Sequence, residues 1–148
     1  MKKYGFLLFV WVLSFNAQAQ KEIKLDSLMF TPEWFSSIEE AAANPEKVLF
    51  LDLGLQKLRT FPKEILTLKN VQHLYLSANY WASIPEEIGN LQQLKVLDLS
   101  SNYYLKKLPD SLVKCVTLEE LIIKDNKLNP GEVARIRKLL PAVNVYTD

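Results

Sequence analysis

The chain carries one cysteine, Cys115, and one histidine, His73, among its 148 residues. A single cysteine excludes an intramolecular disulfide, so packing alone must hold a small domain of the kind that often relies on such staples. A lone histidine with no cysteine or carboxylate at ligand spacing is a weak metal or catalytic signal. Glycine is scarce, at four residues, and neither a Gly-rich phosphate loop nor a G-x-S-x-G elbow occurs. Charge of one sign is lacking too: 18 basic residues face 17 acidic ones, with no basic block. Nucleic acid and anionic membranes reward clustered Lys and Arg, so both are poor partners. The longest apolar run, Phe6 to Phe15, is broken only by Ser14. As a helix it would cover about half of a ~30 Å hydrocarbon core, too little for an anchor.

That run has another reading. Lys2 and Lys3 precede it, and Ala17-Gln18-Ala19 follows with small residues where signal peptidase accepts them. The expectation is an export signal over 1–19, with no membrane insertion after cleavage and a periplasmic or secreted location. Losing Lys2 and Lys3 takes the 18 basic residues to 16 against 17 acidic ones, a formal charge of −1. No cysteine stands directly after the run to carry a lipid. At 49% apolar and 24% charged residues, the remainder has the composition of an ordinary folded domain.

What is abundant is self-similarity. Val48, Leu51, Leu53, Leu58, Phe61, Pro62, Ile65 and Leu68 are matched 23 residues later by Val71, Leu74, Leu76, Trp81, Ile84, Pro85, Ile88 and Leu91. Leu94, Leu97, Leu99 and Asn102 continue the series, one residue is inserted, and Leu105, Leu108, Pro109, Leu112 and Cys115 follow. Leu118, Leu121, Ile123, Asn126 and Leu128 begin a fourth copy. Alternation within each L-x-L puts the leucines on one face of a short strand and the variable residues on the other. A proline after Phe61, Ile84 and Leu108 suits an extended or 3₁₀-like return. Asn79, Asn102 and Asn126 stand where the chain leaves the strand, and a buried amide there can satisfy loop backbone groups. The first copy has Gln56 instead, which interrupts a regular asparagine ladder at that end.

The stretches VQHLYLSAN, LKVLDLSSN and LEELIIKDN have the form L-x-x-L-x-L-x-x-N and resemble the leucine-rich-repeat family, in its 23-residue variety with an LPxxIxxL second half. The resemblance implies an α/β, right-handed solenoid with a short parallel sheet on its concave face, and caps at both ends. The expected organisation is an N-terminal cap over 20–47, about four repeats over 48–128 and a C-terminal cap over 129–148. Ser37-Ile-Glu-Glu40 reads as a capping box for a short helix through Ala43, stopped by Asn44-Pro45. Trp34, Phe35 and Ile38 are expected over the core of the first coil, and Ile23 to Phe30 as an extended segment. Asn129 and Pro130 open a second helix whose Val133, Ile136, Leu139 and Leu140 share one face. Pro141 ends it, and Val143 and Val145 alternate as a final strand, so the array reads as capped at both ends.

Catalysis finds no constellation here, and no enzyme activity, cofactor or metal is expected. Cys115 replaces the core residues Leu68 and Leu91 and should be buried and inert. Asp52 and Asp98 share a strand column, but Tyr75 lies between them, about 9–10 Å of separation. The family resemblance implies that the concave face is the ligand surface. Its variable positions form one column of Phe50, His73, Val96 and Glu120, and a second of Asp52, Tyr75, Asp98 and Ile122. A third holds Leu55, Ala78, Ser101 and Asp125. Lys57, Tyr80, Tyr103, the inserted Tyr104 and Lys127 stand just beyond the strands. This surface reads as aromatic in the middle and charged at its C-terminal end. Tyrosine is enriched at protein interfaces, so the expectation is a monomeric binding module for a protein or peptide. A carbohydrate or envelope glycan is the alternative ligand, an enzyme with a cryptic site is a third reading, and a plain covering role for the tyrosines is the alternative to any ligand.

Overall fold

The computed structural model describes residues 33–148. The expected signal over 1–19, the extended segment over 23–30 and the first part of the N-terminal cap lie outside the described residues.

Six strands form one parallel sheet in chain order. They are β1 (Trp34–Phe35), β2 (Phe50–Asp52), β3 (His73–Tyr75), β4 (Val96–Asp98), β5 (Glu120–Ile122) and β6 (Asn144–Tyr146). The register aligns Leu51, Leu74, Leu97 and Leu121 side by side, and all four are fully buried. Burying a leucine contributes about 1.5–3 kcal/mol, and each row of leucines is buried by its neighbours rather than by its own turn. The returns are 3₁₀ segments, Lys63–Thr67, Glu86–Asn90 and Asp110–Lys114, each entered from Pro62, Pro85 or Pro109.

Two of these returns pack more closely than the others. Gly89 is buried in the Glu86–Asn90 segment, and a Cβ there would fall 2.4 Å from the Ser111 carbonyl oxygen. The equivalent positions in neighbouring copies hold Leu66 and Val113. Glycine is what lets the backbone of the third return lie directly on the second.

The bends after the strands are built alike. Leu55, Ala78, Ser101 and Asp125 all have left-handed backbones, with φ of 53–60°, a region that costs residues with a Cβ roughly 1–2 kcal/mol. The next residue fastens each bend. Asn79 and Asn102 are fully buried. Asn79 Nδ2 donates to the carbonyls of Leu53, Leu76 and Ser77 at 2.9, 3.1 and 3.2 Å. Asn102 Nδ2 does the same to Leu76, Leu99 and Ser100. Gln56, the exception in sequence, uses its longer side chain to reach the Ser36 carbonyl at 2.9 Å. Its amide thereby ties the first repeat to the preceding segment.

The N-terminal end differs from expectation in one respect. Ser37 caps helix α1 (Ile38–Ala43), its hydroxyl accepting from the Glu40 N–H. But Trp34 and Phe35 do not both cover the core: they form β1, paired in parallel with β2. Successive side chains of a strand point to opposite faces, so Phe35 enters the core at 2% exposure while Trp34 stays 55% exposed on the other face. At the other end, Asn129 caps helix α2 (Pro130–Leu139), accepting from the Glu132 N–H at 2.9 Å. Ile136 and Leu140 are buried, and Val145 pairs opposite Leu121. Glu132 and Arg135 lock α2 onto the repeat before it. Glu132 Oε1 accepts the Leu108 N–H at 2.9 Å, and Arg135 donates to Glu132, to the Leu108 carbonyl and to Asp110.

Candidate binding site

The sheet face opposite the leucines displays two columns. The first runs Trp34, Phe50, His73, Val96, Glu120 and Asn144, and the second Asp52, Tyr75, Asp98, Ile122 and Tyr146. Rows and columns of the central strands fall where period-2 alternation puts them. Trp34, Asn144 and Tyr146 join from segments that the repeat pattern does not cover.

Aromatic rings gather at the β1–β3 end. Trp34 lies 5.2 Å from Phe50 and is stacked at 5.6 Å on Tyr75. Phe50 stacks on His73 at 4.6 Å, and His73 lies 6.5 Å from Tyr75. The aromatic centre of the face is therefore nearer its N-terminal end than expected, because Trp34 adds a ring there. Val96 is 9% exposed and forms the floor rather than a projecting contact. Beyond it stand the carboxylates of Asp98 and Glu120.

The electrostatics follow from this crowding. Partial burial among rings pushes the His73 imidazole below its ordinary pKa of 6.5, with Lys95 adding to the effect and Glu119 and Glu120 opposing it. His73 is thus neutral at pH 7, a flat stacking group. Burial also raises the Tyr75 phenol, and Asp98, Glu120 and Asp52 raise it further, so its O–H is retained as a donor. Asp52 and Asp98 have structural partners. Each accepts a backbone N–H two residues on, from Gly54 and Ser100, both at 2.8 Å. These carboxylates fasten the bends and still lend the face negative charge.

Tyr80, Tyr103 and Tyr104 do not stand on the strands. They lie on the loops beyond, where Tyr104 meets Tyr80 edge-on at 6.2 Å and Tyr103 at 5.9 Å. The Lys127 ammonium sits 4.0 Å over the Tyr103 ring. The structure thus divides the expected ligand residues in two. Phe50, Asp52, His73, Tyr75, Val96, Asp98, Glu120 and Ile122 share the strand face, and the three other tyrosines form a separate edge cluster.

Cys115 is 4% exposed, and its thiol donates to the Ile88 carbonyl at 3.4 Å. Burial pushes its pKa up to about 11, so the thiolate is unavailable as a nucleophile at neutral pH. Among the described residues no three His, Cys, Asp or Glu side chains come together as metal ligands. No described helix is long and apolar enough to cross a membrane.

Known proteins share this architecture. The Leucine rich repeat family model matches residues 69–128. A solved leucine-rich-repeat protein of Leptospira interrogans is 37% identical, with a TM-score of 0.66 over 74% of this chain. The chain belongs to the leucine-rich-repeat family. A plant peptide hormone receptor, solved in complex with its peptide, shares the leucine-rich-repeat fold at 24% identity and a TM-score of 0.55, over 77% of this chain. This leucine-rich-repeat chain spans only 27% of the Leptospira protein and 18% of the receptor. No curated protein matches it. The family and the sheet together establish an α/β solenoid, a scaffold commonly used for protein–protein interaction.

Proposed function

We propose that this chain is an exported, non-catalytic binding module that takes a protein or peptide segment across its concave sheet. One observation carries the reading: Trp34, Phe50, His73 and Tyr75 form a contiguous ring cluster on a rigid parallel sheet, with Trp34 55% exposed. Rigid aromatic side chains supply large contact area at low entropic cost, and they are the residue type that dominates interface energetics. The leucine-rich-repeat fold supports the class of function, since the scaffold contributes a surface and not a reaction. Export rests on the Lys2-Lys3 start, the Phe6–Phe15 run and Ala17-Gln18-Ala19, and places the module in the periplasm or outside the cell.

The ligand should bring apolar side chains to the rings and basic or donor groups to Asp98 and Glu120. The test is affinity capture from the producing cell's envelope and medium, comparing the natural protein with a Trp34→Ala, Tyr75→Ala double variant. We expect one or more proteins retained by the former and lost from the latter, with little change in thermal stability. Equal capture by both removes the strand face as the site. An exposed tryptophan is also a platform for a sugar ring, so a Trp34-dependent hit on a glycan array, without a protein captured, replaces the protein reading with the glycan one.

A further inference from the structure

The edge cluster holds a pocket of its own. A cavity of about 600 Å³ is lined by Arg59, Tyr80, Ala82 and Tyr104. Its origin is legible in the repeat register. Residues 59 and 82 are equivalent positions one repeat apart, and Ala82 supplies a small floor where the previous copy has an arginine. Tyr104 is the residue inserted into the third copy, and it brings an additional ring that meets Tyr80 edge-on. The insertion and the small residue together create a recess, walled by two tyrosines with Arg59 beside them.

Arg59 and Ala82 also line an adjoining cavity of about 360 Å³, together with Lys63, Trp81 and Glu87. Trp81 is 1% exposed, and its indole N–H has no acceptor. It borders this smaller cavity and not the recess of Arg59, Tyr80, Ala82 and Tyr104. No carboxylate pairs with Arg59 among the described residues, and Lys127 sits over Tyr103 on the same edge. A guanidinium without a carboxylate partner, beside two aromatic walls, favours one chemistry, an anion with acceptor oxygens next to a flat apolar body.

We propose that the Arg59–Tyr80–Ala82–Tyr104 recess is a second binding site, for a carboxylate paired with a neighbouring aromatic ring. The carboxylate pairs with Arg59 while the ring lies against Tyr80 and Tyr104 over Ala82. Such a group arrives either in an acidic peptide segment or as a free aromatic acid. The site is separate from the strand face, so its failure leaves the concave-face proposal standing.

The test is titration of the isotope-labelled protein, followed by amide NMR shifts, with three probes. These are acetyl-Glu-Phe-Glu-amide, its Gln-Phe-Gln counterpart and phenylacetate. We expect saturable shifts centred on Arg59, Tyr80, Ala82 and Tyr104 with at least one of the two acids, and markedly weaker binding of the Gln peptide. Response to the Glu peptide alone identifies a chain as the source, and response to phenylacetate identifies a free acid. Arg59→Glu, at an exposed position, should weaken binding by about tenfold or more, and Ala82→Leu should fill the recess and do the same. Tyr75→Ala should have no effect. Absence of shifts with both acids, equal binding of the Gln peptide, or unchanged binding in Arg59→Glu would overturn the proposal.

Discussion

Asn102 Oδ1 accepts the backbone N–H of Asn79, 23 residues earlier in the chain, at 3.2 Å. Asn79 Oδ1 repeats the act one coil back, accepting the Leu58 N–H at 2.9 Å. Each amide thus fastens its own bend with its nitrogen and the previous coil with its oxygen. Asn126 breaks the series, because its buried Oδ1 finds no donor.

That difference orders the asparagines by energy. Asn102→Ala strands the Asn79 N–H and the carbonyls that Asn102 serves, each worth about 1–3 kcal/mol when buried and unpaired, so a loss of roughly 2–4 kcal/mol is expected. Asn126→Ala should cost clearly less. Urea unfolding of the two variants checks this, and an equal or reversed order would show that the side-chain oxygen is not the source of the difference.

Gly89→Ala should destabilise the protein by about 1–3 kcal/mol, the ordinary penalty of forced overpacking. Its Cβ would meet backbone, the Ser111 carbonyl oxygen at 2.4 Å. At Gly131, in the first turn of α2, the nearest atom is the Asn129 side-chain oxygen at 3.1 Å. Gly131→Ala should be neutral or mildly stabilising on helix propensity. Calorimetric melting of both variants gives the comparison; similar Tm values would contradict the packing argument.

Leu55 is 78% exposed with φ of 60°, a poor residue in a poor conformation. Asparagine tolerates the left-handed region better. Leu55→Asn should therefore raise stability by about 0.5–1 kcal/mol, read as a higher denaturant midpoint at unchanged slope. A lower midpoint would mean that the leucine makes a contact worth more than the strain.

The Arg135 guanidinium holds the Glu132 carboxyl below its ordinary value of 4.5. A depressed folded-state pKa contributes stability that is fully present above the ordinary carboxyl range and is lost as pH falls through the depressed value. Glu132→Gln should lower Tm at neutral pH and flatten this part of its acid decline. Melting curves recorded from pH 7 down to pH 3 test the sign. A variant that keeps the natural protein's whole acid profile would assign the acid sensitivity to other carboxylates.

Cys115 should resist thiol reagents in the native protein at pH 8 and react at once in denaturant, since burial both hides it and pushes its pKa to about 11. Prompt native labelling would place the thiol at the surface.

The repeats were readable because a strand, a bend and a return recur every 23 residues, and each has its own residue signature. The columns through Phe50, His73, Val96 and Glu120 follow from alternation alone. Trp34 was not readable as a face residue, because β1 precedes Phe50 by 16 positions and contains only two residues, too few to show a period. The division of the tyrosines was hidden for another reason. Whether Tyr80 and Tyr104 share a corner depends on how an inserted residue is absorbed, which is set by packing around Ala82 and not by spacing.

Gly89 has a geometric consequence for the sheet. Adjacent strands are held about 4.8 Å apart by their hydrogen bonds, so the bow of the array is set by how widely the returns stand on the outer side. Where Gly89 draws Glu86–Asn90 and Asp110–Lys114 together, the difference between inner and outer spacing shrinks and the arc straightens. A bulkier residue there would splay those coils and tighten the radius between β3 and β5. The spacing of those two returns thereby bears on the angle at which the rings of β1–β3 meet the carboxylates of Asp98 and Glu120 on β4 and β5.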